Sequence, residues 1–321
     1  MPVTHDSELE AFKTAIDLRA YAASLGYSLD RRESWRGSSV LRSRNGDKVI
    51  VKRDHDGHYV YFSVRDEGDN GSIIDFAMRR KGLNLGQVRK ELRPWIGRPA
   101  AALPDFPALP ISSKNRLEVD AAFRRMEDAP RHPYLESERG LPAALLSEAR
   151  FAGRIRMDGF GNAVFPHFDL EGLCGYEIKN KGFTGFARGG EKGLWLSHRD
   201  AGDHRLVLAE SAIDALSHAA LFPAPATRYV SIGGEMNPKQ PDLLRAAITR
   251  LPAGSEVVAA TDADETGEKL SRAILEAVQR SAMETGNRDL HFVRHSPVGG
   301  KDWNAVLHPT SSFPTAPSQA L

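Results

Sequence analysis

Over the last third of the chain, short apolar runs at 205–209, 228–232, 256–260 and 289–294 alternate with stretches of helical period at 212–221, 241–250 and 267–280. Strand and helix in such alternation bury their apolar faces together as a mainly parallel sheet flanked by helices. In sheets of this kind the groups that carry chemistry gather beyond the carboxyl ends of the strands, where the chain turns and loops converge. Those places hold carboxylates here. Glu210 follows Leu206-Val207-Leu208-Ala209, and Asp262 and Asp264 follow Val257-Val258-Ala259-Ala260.

An Asp-x-Asp pair set opposite a glutamate offers hard anionic oxygens, which suit Mg²⁺, with Mn²⁺ as a substitute, and leave coordination positions for water and phosphate. The matching chemistry is phosphoryl or nucleotidyl transfer. Taken alone, an Asp-x-Asp is more often a solvated loop or a helix cap than a metal site.

The segments from Leu208 to Leu216 and from Ala260 to Gly267 together resemble the Toprim family of primases, topoisomerases and nucleases, and within it bacterial primases of the DnaG type. The family's Glu-Gly-Tyr-Met-Asp corresponds to Glu210 through Asp214, and its Asp-x-Asp-x-Ala-Gly to Asp262 through Gly267. A third primase element, Gly-Lys-Asp-Pro-Asp, is similar to Gly300-Lys301-Asp302-Trp303-Asn304, with Trp303 and Asn304 departing from it. The resemblance implies catalytic roles for Glu210, Asp262, Asp264, Asp214 and Asp302, the first three as metal ligands. Read without it, Asp214 is an exposed helix residue and Asp302 a helix N-cap.

Upstream, helical patterns at 116–126 and 141–149 precede strand-like runs at 163–168 and 173–178. The stretch from Ala163 to Lys179 is similar to the primase region that precedes Toprim. Lys179, Lys181, Arg188 and Lys192 lie among Phe183 and Phe186, and Lys301 adjoins Asp302, a mixture suited to phosphate contacts and base stacking. A solvated loop is the plain alternative.

The first hundred residues read as a helix over 7–25, strands at 48–52 and 58–64, a helix capped by Ser72 and another at 85–92. From Tyr61 to Val64 and from Gly71 to Phe76 this region resembles, in outline, the zinc ribbon of bacterial primases. The chain's one cysteine, Cys174, lies elsewhere, so no structural zinc is expected. Arg31, Arg32, Arg36, Arg42, Arg44, Lys48, Lys52 and Arg53, with Trp35 among them, make 31–53 locally basic, which fits DNA binding or simply a soluble β surface.

The expected fold class is α/β: a Toprim domain at 201–308, preceded by a mixed α+β subdomain at 116–200 and a small α+β domain at 1–97. A Pro- and Ala-rich linker spans 98–115, and a disordered tail spans 309–321. At 321 residues, 41% hydrophobic and 26% charged, the chain has the make-up of a soluble protein, and its formal net charge of +1 gives no global pull toward nucleic acid. It has no apolar run of the roughly 18 residues that span a bilayer and no secretory signal pattern. A cytoplasmic location without membrane association is expected.

The resemblance implies a Mg²⁺-dependent, primase-like nucleotidyltransferase making short primers from nucleoside triphosphates on single-stranded DNA. A replicative helicase or relaxase is the expected protein partner. With no Gly-x-x-x-x-Gly-Lys-Ser/Thr loop in the chain, a compact primase of a plasmid, phage or other mobile element is the expected type. A Toprim nuclease and a non-catalytic DNA-binding or partner-recruiting protein are the rivals, while a topoisomerase would need a nucleophilic tyrosine in supporting context.

Overall fold

The computed structural model describes residues 6–35, 37–54, 57–66, 68–97, 109, 114–287 and 289–309. Nearly all of the expected linker and tail, and Arg36, lie outside the described residues. The chain divides into two compact units, residues 1–113 with 181–185, and residues 114–180 with 186–321.

In the first unit the stretch expected to form one helix is two, α1 (Ser7–Ala15) and α2 (Leu18–Ser24). Ile16 is extended and the Asp17 side chain caps the second helix by accepting from the Arg19 N–H. Apolar periodicity runs unbroken through this point, so the aspartate is the local signal for the break.

Strands β1 (Ser28–Leu29), β2 (Ser39–Arg42), β3 (Lys48–Arg53), β4 (Tyr59–Ser63) and β5 (Asn70–Ser72) follow as an antiparallel sheet in sequential order. Val49 and Val51 point into the core while Lys48, Ile50 and Lys52 alternate on the other face. Helix α3 (Ile73–Lys81) starts at a capping box between Ser72 and Asp75, and α4 (Leu85–Leu92) at one between Asn84 and Gln87. Phe76 is the hub of this core, packed edge-on against Tyr21 and Tyr61.

The second unit opens with α5 (Arg116–Arg124) and strand β6 (Glu127–Asp128). After a short helix α6 (Ala143–Leu146) come β7 (Arg156–Met157), β8 (Ala163–Asp169) and β9 (Gly172–Asn180), antiparallel in the order β9–β8–β7–β6. The helix expected at 141–149 is therefore only four residues long. Pro142 precedes it, and the chain turns at Ser147. Strand β10 (Phe183–Phe186) lies mostly in the segment grouped with the first unit, and β11 (Trp195–Leu196) follows in the second.

The expected alternation then appears: β12 (Arg205–Ala209), α7 (Ala212–Leu221), β13 (Thr227–Ser231), α8 (Gln240–Thr249), β14 (Glu256–Ala259), α9 (Glu265–Thr285), β15 (His291–Arg294) and α10 (Trp303–Leu307). The sheet order is β11–β13–β12–β14–β15, parallel throughout except for β11, which runs antiparallel to β13. Its edge strand is thus drawn from upstream of position 201. Along β12, Val207 and Ala209 face the core shared with α7 and Trp303, while Leu206 and Leu208 face α8 and α9.

Two units stand where three compact pieces were expected, because one apolar core runs through both the middle region and the alternating region. Leu135, Phe151 and Phe165 from the former join Trp195, Val207, Ile213 and Trp303 in a single cluster. Among the described residues no helix is long and apolar enough to cross a membrane.

Candidate functional site

The parallel register pairs Leu208 with Ala259, so the residues that follow β12 and β14 emerge side by side. The Asp262 N–H points to Glu210 Oε1 at 3.4 Å. Glu210 is partly buried and Asp262 is buried. Behind them Gly267 lies so close to Asp262 that a Cβ at 267 would fall 2.1 Å from the Asp262 carbonyl oxygen, and Thr261 Oγ1 donates to the Gly267 carbonyl at 2.7 Å. The glycine is required by this close approach of backbone to backbone.

Asp214 sits in the first turn of α7 and is buried, correcting the reading of an exposed helix residue. Ser211 caps the helix by accepting from the Asp214 N–H at 3.1 Å, and its hydroxyl donates to Asp214 Oδ2 at 2.5 Å. The second oxygen, Oδ1, accepts from the Asn304 N–H at 3.2 Å. Asp264 caps α9, accepting from the Gly267 N–H at 2.9 Å, and Asp302 caps α10, accepting from the Ala305 N–H at 2.7 Å. The Lys301 carbonyl accepts from the Ala263 N–H at 3.0 Å, tying the two acidic loops together, while the Lys301 side chain is exposed.

Burial and mutual repulsion raise these carboxyls. Burial first, then Asp264 and Asp214, push Glu210 up to about 7 against the opposing Asp262 N–H and Lys301. Asp262 is pushed up to about 8 by burial, followed by Asp214, Glu210, Asp302 and Asp264. For Asp214 burial and then Asp302 outweigh the hydrogen bonds from Ser211 and Asn304, giving about 6. Asp262 Oδ1 is buried with no hydrogen-bond partner among the described residues.

Among the described residues, no three His, Cys, Asp or Glu side chains form a ready metal cluster. The donor set nevertheless fits a hard divalent cation. It offers carboxylate oxygens only, one of them buried and unpartnered, beside neighbouring acids that repel it. Asp264 caps α9 through Oδ1 alone, which leaves its second carboxylate oxygen for a cation.

Lys179 and Lys192 both act electrostatically on the buried Glu177, and Lys192 Nζ donates to the Glu235 carbonyl at 2.9 Å. Arg188 is exposed, Lys301 stands by the acids, and Lys181 falls in the segment grouped with the first unit. Sequence reasoning left Asn304 without a role. Its Nδ2 donates to the Arg139 carbonyl at 2.8 Å and to Ser217 Oγ at 3.0 Å, so it pins α10 to α7 beneath Asp214. A polar residue in the first turn of an otherwise apolar helix was the available signal.

Residues 207–307 match a family model described as Toprim-like, and residues 133–204 match one described as a protein of unknown function, DUF3991. No curated protein matches the chain. Among solved structures, the chain is similar to the primase fragment of the bacteriophage T7 primase-helicase protein, at 19% identity and a TM-score of 0.32, over 52% of this chain and 65% of that one. It therefore spans just under two thirds of that fragment's length. A second similar structure shows bacteriophage T7 lagging-strand DNA polymerase interacting with primase domains of two gp4 subunits bound to an RNA/DNA hybrid and dTTP, at 21% identity and a TM-score of 0.35, over 54% and 82% of the two chains.

Proposed function

We propose that this chain is a Mg²⁺-dependent, primase-like nucleotidyltransferase that builds short primers from nucleoside triphosphates on single-stranded DNA. The observation that carries the reading is the placement of Glu210 and Asp262 at the carboxyl ends of neighbouring parallel strands, with a buried Asp262 oxygen open to a cation. The Toprim-like match covers both residues.

In this reading Glu210, Asp262 and Asp264 hold the metal. Bound Mg²⁺ supplies positive charge that offsets the phosphates and favours attack by a 3′-hydroxyl on an α-phosphate. Asp214, held by Ser211 and Asn304, stays out of direct ligation and adds negative charge behind the site. Asp302 caps α10 beside Lys301, whose exposed ammonium contacts a triphosphate in this reading. Lys179, Lys181, Arg188 and Lys192 are the basic contacts for template or nucleotide.

Isothermal titration with Mg²⁺ tests the metal assignment. The wild-type chain should give a binding isotherm that Asp262→Asn removes with the fold intact. An isotherm left unchanged by Asp262→Asn would place the metal elsewhere.

A further inference from the structure

A second buried charged group in the same unit takes no part in the acidic centre. His167 on β8 and Glu177 on β9 face each other with Nε2 and Oε2 3.6 Å apart, and their side chains are 0% and 8% exposed. Neither facing atom has a hydrogen-bond partner among the described residues. Burial alone would raise the Glu177 carboxyl, yet His167, Lys179 and Lys192 hold it down at about 2. A buried polar contact of this kind adds little net stability compared with apolar packing, so its position is more informative than its energy.

That position leads to the acidic centre. His167 Nδ1 lies 2.8 Å from the Gly193 carbonyl oxygen, which can only accept, so this nitrogen carries a hydrogen. Gln240 Nε2 donates to the same carbonyl and to the Ile232 carbonyl, each at 2.7 Å. Ile232 opens the turn after β13, where Gly233 has a φ of +70° and leaves no room for a side chain. A Cβ there would lie 2.7 Å from His167 Cε1 and 3.1 Å from Glu177 Cδ. The next residue, Gly234, donates its N–H to the Glu210 carbonyl at 2.9 Å.

We infer that His167 and Glu177 are positioning residues for Glu210, acting through the Gly233-Gly234 turn that rests on them. The inference depends on the reading of Glu210 as a metal ligand. Under it, the segment 133–204, which matches a family of unknown function, supplies the buried polar base on which the neighbouring segment's first acidic residue is set.

The test uses the full chain with Glu177→Gln, which removes the carboxylate charge at nearly constant shape, and Gly233→Ala, which keeps both side chains and obstructs the contact. Val164→Ala, on the opposite face of β8, serves as a stability control. Mn²⁺ affinity is measured by electron paramagnetic resonance, and exchange of the Gly234 amide hydrogen is followed alongside it. Both test variants should bind Mn²⁺ about 10- to 100-fold more weakly, the range typical for loss of a group that orients a ligand, with faster exchange at Gly234. Val164→Ala should change neither. Unchanged affinity and unchanged exchange in either folded variant would overturn the inference. If the wild type binds no Mn²⁺, the metal reading of Glu210 fails; faster exchange at Gly234 in Glu177→Gln would then still support the mechanical link, and unchanged exchange would remove that too.

Discussion

Asp262 offers its backbone N–H to the Glu210 carboxylate at 3.4 Å, while Asp262's own Oδ1 is buried and unpartnered among the described residues. The two acids are brought together by the backbone register of β12 and β14, and that N–H and the Lys301 charge only partly offset their repulsion. The site is left with an excess of buried negative charge.

Glu210, Asp262 and Asp214 titrate near about 7, about 8 and about 6 in the folded chain, above the unfolded range for carboxyls. The folded state therefore binds more protons than the unfolded one, and this contribution to stability is full below the unfolded pKa values and lost as pH rises through about 6 to 8. Without metal, the melting temperature should fall between about pH 5.5 and about pH 8.5. Mg²⁺ should raise it more at the higher pH, as differential scanning fluorimetry with and without EDTA would show.

Asp262→Asn removes the charge that its neighbours oppose most. The metal-free variant should melt at a higher temperature than the wild type at about pH 8, and Mg²⁺ should no longer shift it. Nucleotide transfer should fall on the order of 100-fold or more, the scale of losing one group that stabilises transition-state charge.

Gly267→Ala places a methyl group 2.1 Å from the Asp262 carbonyl oxygen, and the atom in the way is backbone. Helix α9 and the Asp262 loop cannot both keep their places. Urea denaturation should show a loss of about 1–3 kcal/mol, the cost of overpacking, and Mg²⁺ affinity should fall with it.

Asn304→Asp replaces a donor to the Arg139 carbonyl and Ser217 Oγ with an acceptor. The loss should be about 1–3 kcal/mol at about pH 8, the cost of unmade buried hydrogen bonds. It should shrink at about pH 5, where the new carboxyl can be protonated and donate again. Equal losses at both pH values would show that Asn304 acts by shape alone.

Much of the acidic centre was legible in the sequence, because period and composition identify strands, and a carboxylate directly after an apolar run marks a strand end. Glu210 directly follows β12, and Asp262 and Asp264 lie in the turn between β14 and α9. Asp264 and Asp302 also show the N-cap geometry that their sequence context allowed. What stayed hidden depends on contacts between distant segments. The burial of Asp214 involves Asn304, 90 residues away. The edge strand β11 is two residues long, too short for a period to show. The break at Asp17 is decided by one capping side chain within a continuous apolar pattern.

The most direct test of primer synthesis is to incubate the chain with labelled nucleoside triphosphates, Mg²⁺ and single-stranded DNA, and to resolve new oligonucleotides and template fragments on one gel. Short new oligonucleotides that require the divalent cation and disappear in Asp262→Asn are the expected result. Template cleavage without new synthesis would contradict it and indicate a nuclease, and synthesis that persists in Asp262→Asn would show that the acidic centre is not where the chemistry occurs.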